Sequence, residues 1–183
     1  MAKRTKETIT LGSGKIYVQV FADAMPTVET LCTPANLLGY IKSGASLEYT
    51  TEPYEEKDDL GLASKIIVVS EEALLKCGLI TWNGETLQKL VDRCTVTMEG
   101  GKRITKIGGA GNAQGKYYAI CFAYEDKADG NAWIIIKGTN TAGFTLTFSA
   151  EEGSLVEPEF KAMPHDEKGT LIQFIEETDT ATT

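Results

Sequence analysis

From Gly14 onward, apolar residues recur at every second position between clusters of glycine, asparagine and proline. Side chains of an extended strand point alternately to its two faces, so this period specifies β-structure and leaves little room for long helices. Residues 15–21 (KIYVQVF) set Ile16, Val18 and Val20 on one face and Tyr17, Gln19 and Phe21 on the other, the pattern of a strand packed on both sides. Residues 65–69 (KIIVV) and 78–82 (GLITW) predict two further strands, with Ser70-Glu71-Glu72 between them as a helix start or tight turn. Strands are then expected over 95–99, 102–107, 116–125, 133–137, 144–150, 159–163 and 171–176, separated by turn signals such as Gly100-Gly101, Asp129-Gly130 and Glu152-Gly153. Regular spacing with mostly short turns predicts a mainly β fold, an antiparallel β-sandwich or barrel.

One helix interrupts the pattern. Asn83 is placed to cap it, Glu85 sits in its first turn, and Leu87, Leu90, Val91 and Cys94 form an apolar stripe, which predicts a helix over 84–93 flanking the sheet. Pro26 and Pro34 bracket a loop, and residues 39–44 (GYIKSG) read as a short segment bounded by glycine turns. Residues 48–54 (EYTTEPY) form a polar strand that carries Pro53 and runs into the charged stretch Glu55, Glu56, Lys57, Asp58, Asp59, expected as a long polar hairpin loop that is mobile. No linker or repeat divides the chain. A single domain over 14–177 is expected, with a flexible basic arm at 1–13 and a polar tail at 178–183.

Composition removes several function classes. Lys and Arg total 18 against 26 Asp and Glu, a net charge of -8, the wrong sign for gripping nucleic-acid phosphates. A single histidine, His165, is too few for zinc sites built on paired imidazoles, and its setting (MPHDEKG) reads as a solvated turn rather than part of a Ser-His-Asp arrangement. Cys32, Cys77, Cys94 and Cys121 are widely spaced with no Cys-x-x-Cys, as expected of reduced, mostly buried thiols. The basic start is followed by no apolar run, so neither a secretory signal nor a membrane partner is expected. Residues 108–116 (GGAGNAQGK) fail both as a phosphate loop, because Ala110 stands at its first glycine and Tyr117 follows the lysine, and as a dinucleotide fingerprint, because Gln114 stands where glycine is needed. The cluster Glu55, Glu56, Asp58, Asp59 lacks the ligand spacing of a calcium loop. No catalytic residue, cofactor or metal is expected.

The order of elements is more telling. A strand, a proline-bounded loop, a long polar hairpin, a strand ending at Trp82, a helix and then a β-meander resemble the tail tube proteins, the major tail proteins of long-tailed phages. Leu38-Gly39-Tyr40-Ile41 leading through Ser43-Gly44, and the closing Phe160-Lys161-Ala162-Met163 followed by Gly169-Thr170-Leu171-Ile172, are similar to that family as well. The resemblance covers roughly residues 14–177. It implies a non-enzymatic virion protein that assembles with itself into stacked, hexameric rings, forming a hollow tube through which DNA passes during ejection without sequence-specific binding. It also implies assembly in the host cytoplasm and contacts with tape-measure, tail-terminator and baseplate or distal-tail proteins. Tubes of contractile tails and of phage-tail-like injection particles share the pattern. A head decoration protein or carbohydrate-binding module on a β-sandwich is the alternative outside this group.

The resemblance implies that the hairpin, with Glu48, Tyr49, Thr50, Thr51, Glu52, Tyr54, Glu55, Glu56, Lys57, Asp58 and Asp59, reaches neighbouring subunits. Its length and shortage of apolar residues to bury are in keeping with such a role. Residues 1–20 carry a net +3 and residues 151–183 a net -7, complementary ends that suit a head-to-tail contact, with Lys3, Arg4 and Lys6 as a basic arm between rings. Carboxylates facing a lumen repel DNA phosphates over about 8–10 Å at ordinary salt, and Glu48, Glu52, Glu55 and Glu99 are the candidates for that lining.

Overall fold

A computed structural model describes residues 4, 13–149, 151 and 153–178. The strands are β1 (Lys15–Val20), β2 (Leu37–Lys57), β3 (Ser64–Leu79), β4 (Cys94–Glu99), β5 (Lys102–Ile107), β6 (Tyr118–Tyr124), β7 (Ala132–Asn140), β8 (Glu159–Met163) and β9 (Ile172–Glu176). Two α-helices join them, α1 (Val28–Leu31) inside the proline-bounded loop and α2 (Gly84–Leu90).

Every ladder is antiparallel, and one set of ladders returns on itself. β1 pairs with β2 and β6, β2 with β3, β3 with β8, β8 with β7, and β7 with β6, so six strands close into a barrel. β7 makes closure possible by sharing one edge between two partners: β8 along Lys137–Asn140 and β9 along Ala132–Ile136. At the β7–β8 crossing, Gly138 brings the backbones so close that a methyl group there would run into the Lys161 carbonyl. Closure gives each of the six barrel strands a partner on both sides within the barrel, while β9 and the outer parts of β2 and β3 keep a free edge.

The two faces of β1 explain its alternation. Ile16 and Val18 point into the barrel, among Leu38, Leu75, Leu79, Ile120, Ile136, Val156 and Phe160. Tyr17 points outward, into a second cluster of Leu31, Ala119, Cys121, Ala123 and Ile135 that α1 and the loop around it cover. Val20, at the strand's end, is half exposed. α2 begins as the sequence predicts: Asn83 Oδ1 accepts from the Glu85 and Thr86 amides at 2.9 and 3.0 Å. Thr86 Oγ1 then donates to the Leu38 carbonyl at 3.2 Å, tying the helix to β2. It stops at Leu90 rather than Arg93, because Val91 is extended and the chain turns into β4.

Several other expectations are corrected. Residues 39–44 are no separate segment; they lie inside β2, and the turn signal there is a bulge, with Ser43 at φ +68° and Gly44 at +80°. Ser70-Glu71-Glu72 is no turn but the middle of β3, paired with Glu52, Thr51 and Thr50. Glu55, Glu56 and Lys57 extend β2 instead of starting a loop, and Pro53 is accommodated at a second bulge, between Glu52 and Pro53. Residues 144–149 form no strand: Phe144 and Leu146 pack on the barrel core, but the backbone pairs with no ladder. β4 and β5 form a sheet of their own rather than part of the meander. His165 is partly buried rather than a solvated turn residue; its Nε2 lies 3.2 Å from Gln173 Nε2, and its Nδ1 is buried without a partner.

Candidate assembly surface

β2 and β3 run side by side from Ile41↔Leu79 to Lys57↔Ser64, far longer than the barrel is tall. Near the barrel their flanks are occupied, β2 by β1 through Tyr40 and β3 by β8 through Leu74, Leu75 and Lys76. Beyond those points the two strands continue alone as an arm. Every residue from 49 to 71 is exposed. Its far end is a tight turn in which Asp58 Oδ1 accepts from the Ala63 amide at 2.7 Å. That bond and further backbone amides hold the Asp58 carboxyl below the usual carboxylate range.

Side chains brace the arm at its root. Lys76 Nζ lies 3.1 Å from Glu48 and 3.7 Å from Glu159, and Lys161 Nζ 2.9 Å from Glu72, joining β2 and β3 to β8. The bond to Glu48, with the charge of Glu159, raises the Lys76 pKa. Further out, Tyr49 donates to Glu71 at 3.0 Å, Ser70 to Glu52 at 2.9 Å, and Tyr54 to Glu56. The carboxylates Glu71 and Glu56 raise the phenol pKa values of Tyr49 and Tyr54.

The arm also carries an apolar strand that stays largely exposed, with Val68 and Val69 at its inner end bordering an open cleft with Ala162, Pro164, Gly169 and Leu171. Ile66, Ile67, Val68 and Val69 keep 63%, 47%, 54% and 55% of their surface exposed, whereas Leu75 and Leu79, farther along the same strand, keep none. Leu60 and Leu62 at the tip are more exposed still. A two-stranded hairpin is marginal in water, and large exposed apolar patches mark interaction sites. Covering the exposed half of each of these four side chains is worth about 1 kcal/mol apiece. Opposite them, β2 supplies acids. Eight carboxylates fall between Glu48 and Glu72 against Lys57 and Lys65, a net -6.

The sequence candidates therefore separate into three places. The hairpin residues from Glu48 to Asp59 all lie on the arm, as strand and turn. Of the lumen candidates, Glu48, Glu52 and Glu55 also lie there, bonded to Lys76, Ser70 and Lys57, while Glu99 sits at the end of β4 beside the Gly100-Gly101 turn. Arg4 folds back on its own chain: its amide donates to the Glu177 carbonyl at 2.8 Å, its guanidinium to Glu176 at 3.3 Å and Gly130 at 3.2 Å, and it stacks over Tyr124. The charge complementarity between the chain ends is thus met, at Arg4, within one molecule. Lys3 and Lys6 lie outside the described residues.

Two features escaped sequence reading. KIIVV signals a strand, and its apolar residues on both faces suggest a core strand; the clue that it is exposed lies in its β2 partner, where Glu55, Glu56 and Lys57 cannot be buried beside it. The other is the charge of the β4–β5 hairpin, whose strands and turn were expected but whose Arg93, Lys102, Arg103 and Lys106 against Glu99 make a local +3 inside an acidic chain.

Among the described residues, no group of three or more His, Cys, Asp or Glu is placed to hold a metal ion, and no helix is long and apolar enough to cross a membrane. Cys77, Cys94 and Cys121 are buried; Cys32 is half-buried with its Sγ 3.5 Å from Cys121 Sγ. Compared with known proteins, the chain matches no protein-family model and no curated protein.

Proposed function

We propose that this chain is a structural subunit, without enzymatic activity, that assembles with copies of itself into stacked rings forming the hollow tail tube of a phage, through which DNA passes. The observation that carries the reading is the uncovered apolar strand, Ile66 to Val69, on an arm that projects from a closed barrel. A barrel whose own core is complete has no internal use for such an arm. Binding a neighbour covers it, and where each copy gives its arm to one neighbour and receives an arm from another, the contact is heterologous and propagates into rings or filaments. The acidic balance supports a conduit, since carboxylates lining a lumen let DNA slide without being held. On this reading the chain works in the virion tail, with tape-measure, tail-terminator and baseplate or distal-tail proteins at the tube and its ends.

Negative-stain microscopy and sedimentation of the purified chain over a wide concentration range test the reading. Hollow rings or tubes of uniform width are expected. Monodisperse small particles at the highest concentration would overturn it and favour a decoration or glycan-binding β-module instead.

A further inference from the structure

Two of the four cysteines meet across the fold. Cys32 and Cys121 are 89 positions apart in the chain, yet their Sγ atoms lie 3.5 Å from each other. We propose that they form a redox-dependent disulfide that staples the proline-bounded loop to the barrel wall. The bond belongs to a different part of the molecule from the arm, and stands or falls apart from self-assembly.

Cys121 sits in the middle of β6, paired with Tyr17 of β1 on one side and Ile135 of β7 on the other, and is completely buried. Ladders on both flanks fix its position. Cys32 closes α1, its amide donating to the Val28 carbonyl at 2.8 Å, and is half-buried. Leu31 beside it is completely buried in the cluster with Tyr17, Ala119 and Ile135, which seats the loop over Cys121. Asn36 Nδ2 holds the loop there, donating to the Leu31 carbonyl at 3.1 Å and to Gln19 at 3.3 Å. Bonded sulfurs stand about 2.0 Å apart, so a shift of about 1.5 Å on the loop side completes the bond. Among the described residues neither Cys77 nor Cys94 has a sulfur partner.

The two thiols take unequal roles. The bond from Cys121 lowers the Cys32 pKa, while that bond and burial raise the pKa of Cys121. Thiolates are the attacking species in disulfide exchange, so Cys32, which solvent also reaches, attacks first. Its thiolate attacks oxidised glutathione, a small-molecule disulfide, and forms a mixed disulfide. The first glutathione leaves as a thiolate and takes up the proton that Cys32 gave to water. Cys121 Sγ then attacks Cys32 Sγ, the bond to glutathione breaks, and the Cys121 proton leaves with the second glutathione as its thiol. The two cysteines lose two electrons, and the glutathione disulfide gains them. In reducing surroundings the pair stays as thiols, and in oxidising ones it bridges. A bridge spanning 89 positions restricts the unfolded chain strongly and so stabilises the folded one.

Thiol counting on the full chain tests the pair. The chain is equilibrated with reduced or with oxidised glutathione, then denatured, alkylated and weighed. All four cysteines are expected to be alkylated after reduction and only two after oxidation, with Cys32 and Cys121 joined in one digest peptide. Oxidation is expected to raise the thermal midpoint by roughly 5 °C or more. Cys121→Ala is expected to retain one glutathione on Cys32, and Cys32→Ala to leave Cys121 unmodified; circular dichroism establishes that each variant folds. The count on the unaltered chain decides by itself should Cys121→Ala fail to fold. Four alkylated cysteines after oxidation, a bridge that uses Cys77 or Cys94, or glutathione on Cys121 in Cys32→Ala overturns the proposal. A bridge that leaves the thermal midpoint unchanged overturns its role as a staple.

Discussion

The two halves of the β2–β3 ladder make the clearest contrast in the molecule. In the lower half, Ala73, Leu75 and Leu79 are completely buried in the barrel, and neighbouring strands occupy the ladder's flanks. In the upper half, the same two strands keep their hydrogen bonds but no third strand flanks them, and Ile66 to Val69 stay about half exposed. The acids of the arm distinguish the halves, but the run Ile66 to Val69 of β3 is as apolar as the buried stretch further along the same strand. What differs is whether the same chain supplies the cover. The lower half is explained by folding alone, whereas the upper half leaves an exposed apolar strand that the proposed assembly would cover.

The largest expected effect breaks this contrast directly. Leu75→Ala leaves a cavity in a completely buried site and is expected to cost about 2–5 kcal/mol of unfolding free energy in chemical denaturation. Ile67→Ser, on the same strand, is expected to change that free energy by less than about 0.5 kcal/mol yet to abolish rings in sedimentation. Equal destabilisation by both would place the arm inside the folding unit and remove the distinction.

Next in size is Gly138→Ala. The added methyl meets the Lys161 carbonyl where β7 and β8 close the barrel, so a loss of about 1–3 kcal/mol is expected. The arm's hydrogen exchange should not change, because its ladder does not run through that crossing.

The buried half also carries Cys77, whose thiol burial pushes up to about 12. In the unfolded chain this thiol ionises from about pH 9 upward, while in the barrel it stays neutral. The unfolded state then holds fewer protons, and folding stability falls with rising pH by about 1.4 kcal/mol per unit at most, between pH 9 and 12. Denaturation midpoints across that range in the native chain and in Cys77→Ala measure the difference; a smaller slope in the variant is expected. Cys121, raised by its bond to Cys32 and by burial, adds to the slope in both.

The smallest effect belongs to the arm's tip. Asp58 is held below the usual carboxylate range by the Ala63 amide, so its contribution to the turn is present above about pH 4 and lost as pH falls through its folded pKa. Nuclear magnetic resonance is expected to show the Ala63 amide signal shifting at low pH, with the barrel amides unmoved.

Much of the barrel was legible because alternation reports which way side chains point. β5 and β8 match their expected ranges, and the two-faced packing of Ile16, Tyr17 and Val18 follows from their spacing. The same signal misled at residues 144–149, where Phe144 and Leu146 face the core without backbone pairing, since side-chain period and ladder formation are separate properties. Ser70-Glu71-Glu72 looked like a turn because polar residues seldom interrupt a core strand, and here the strand has already left the core. The arm's acids were legible as an unusual segment. The exposure of its apolar strand was not, because local composition cannot tell a side chain covered by its own fold from one left in water.

Hydrogen–deuterium exchange at increasing protein concentration tests whether a second copy covers the arm. The amides of Ile66 to Val69 are expected to exchange rapidly at the lowest concentration and to gain protection as rings form, while those of Leu75 and Leu79 stay protected throughout. Strong protection of the arm at concentrations where the chain is monomeric, or continued rapid exchange in assembled rings, would contradict it.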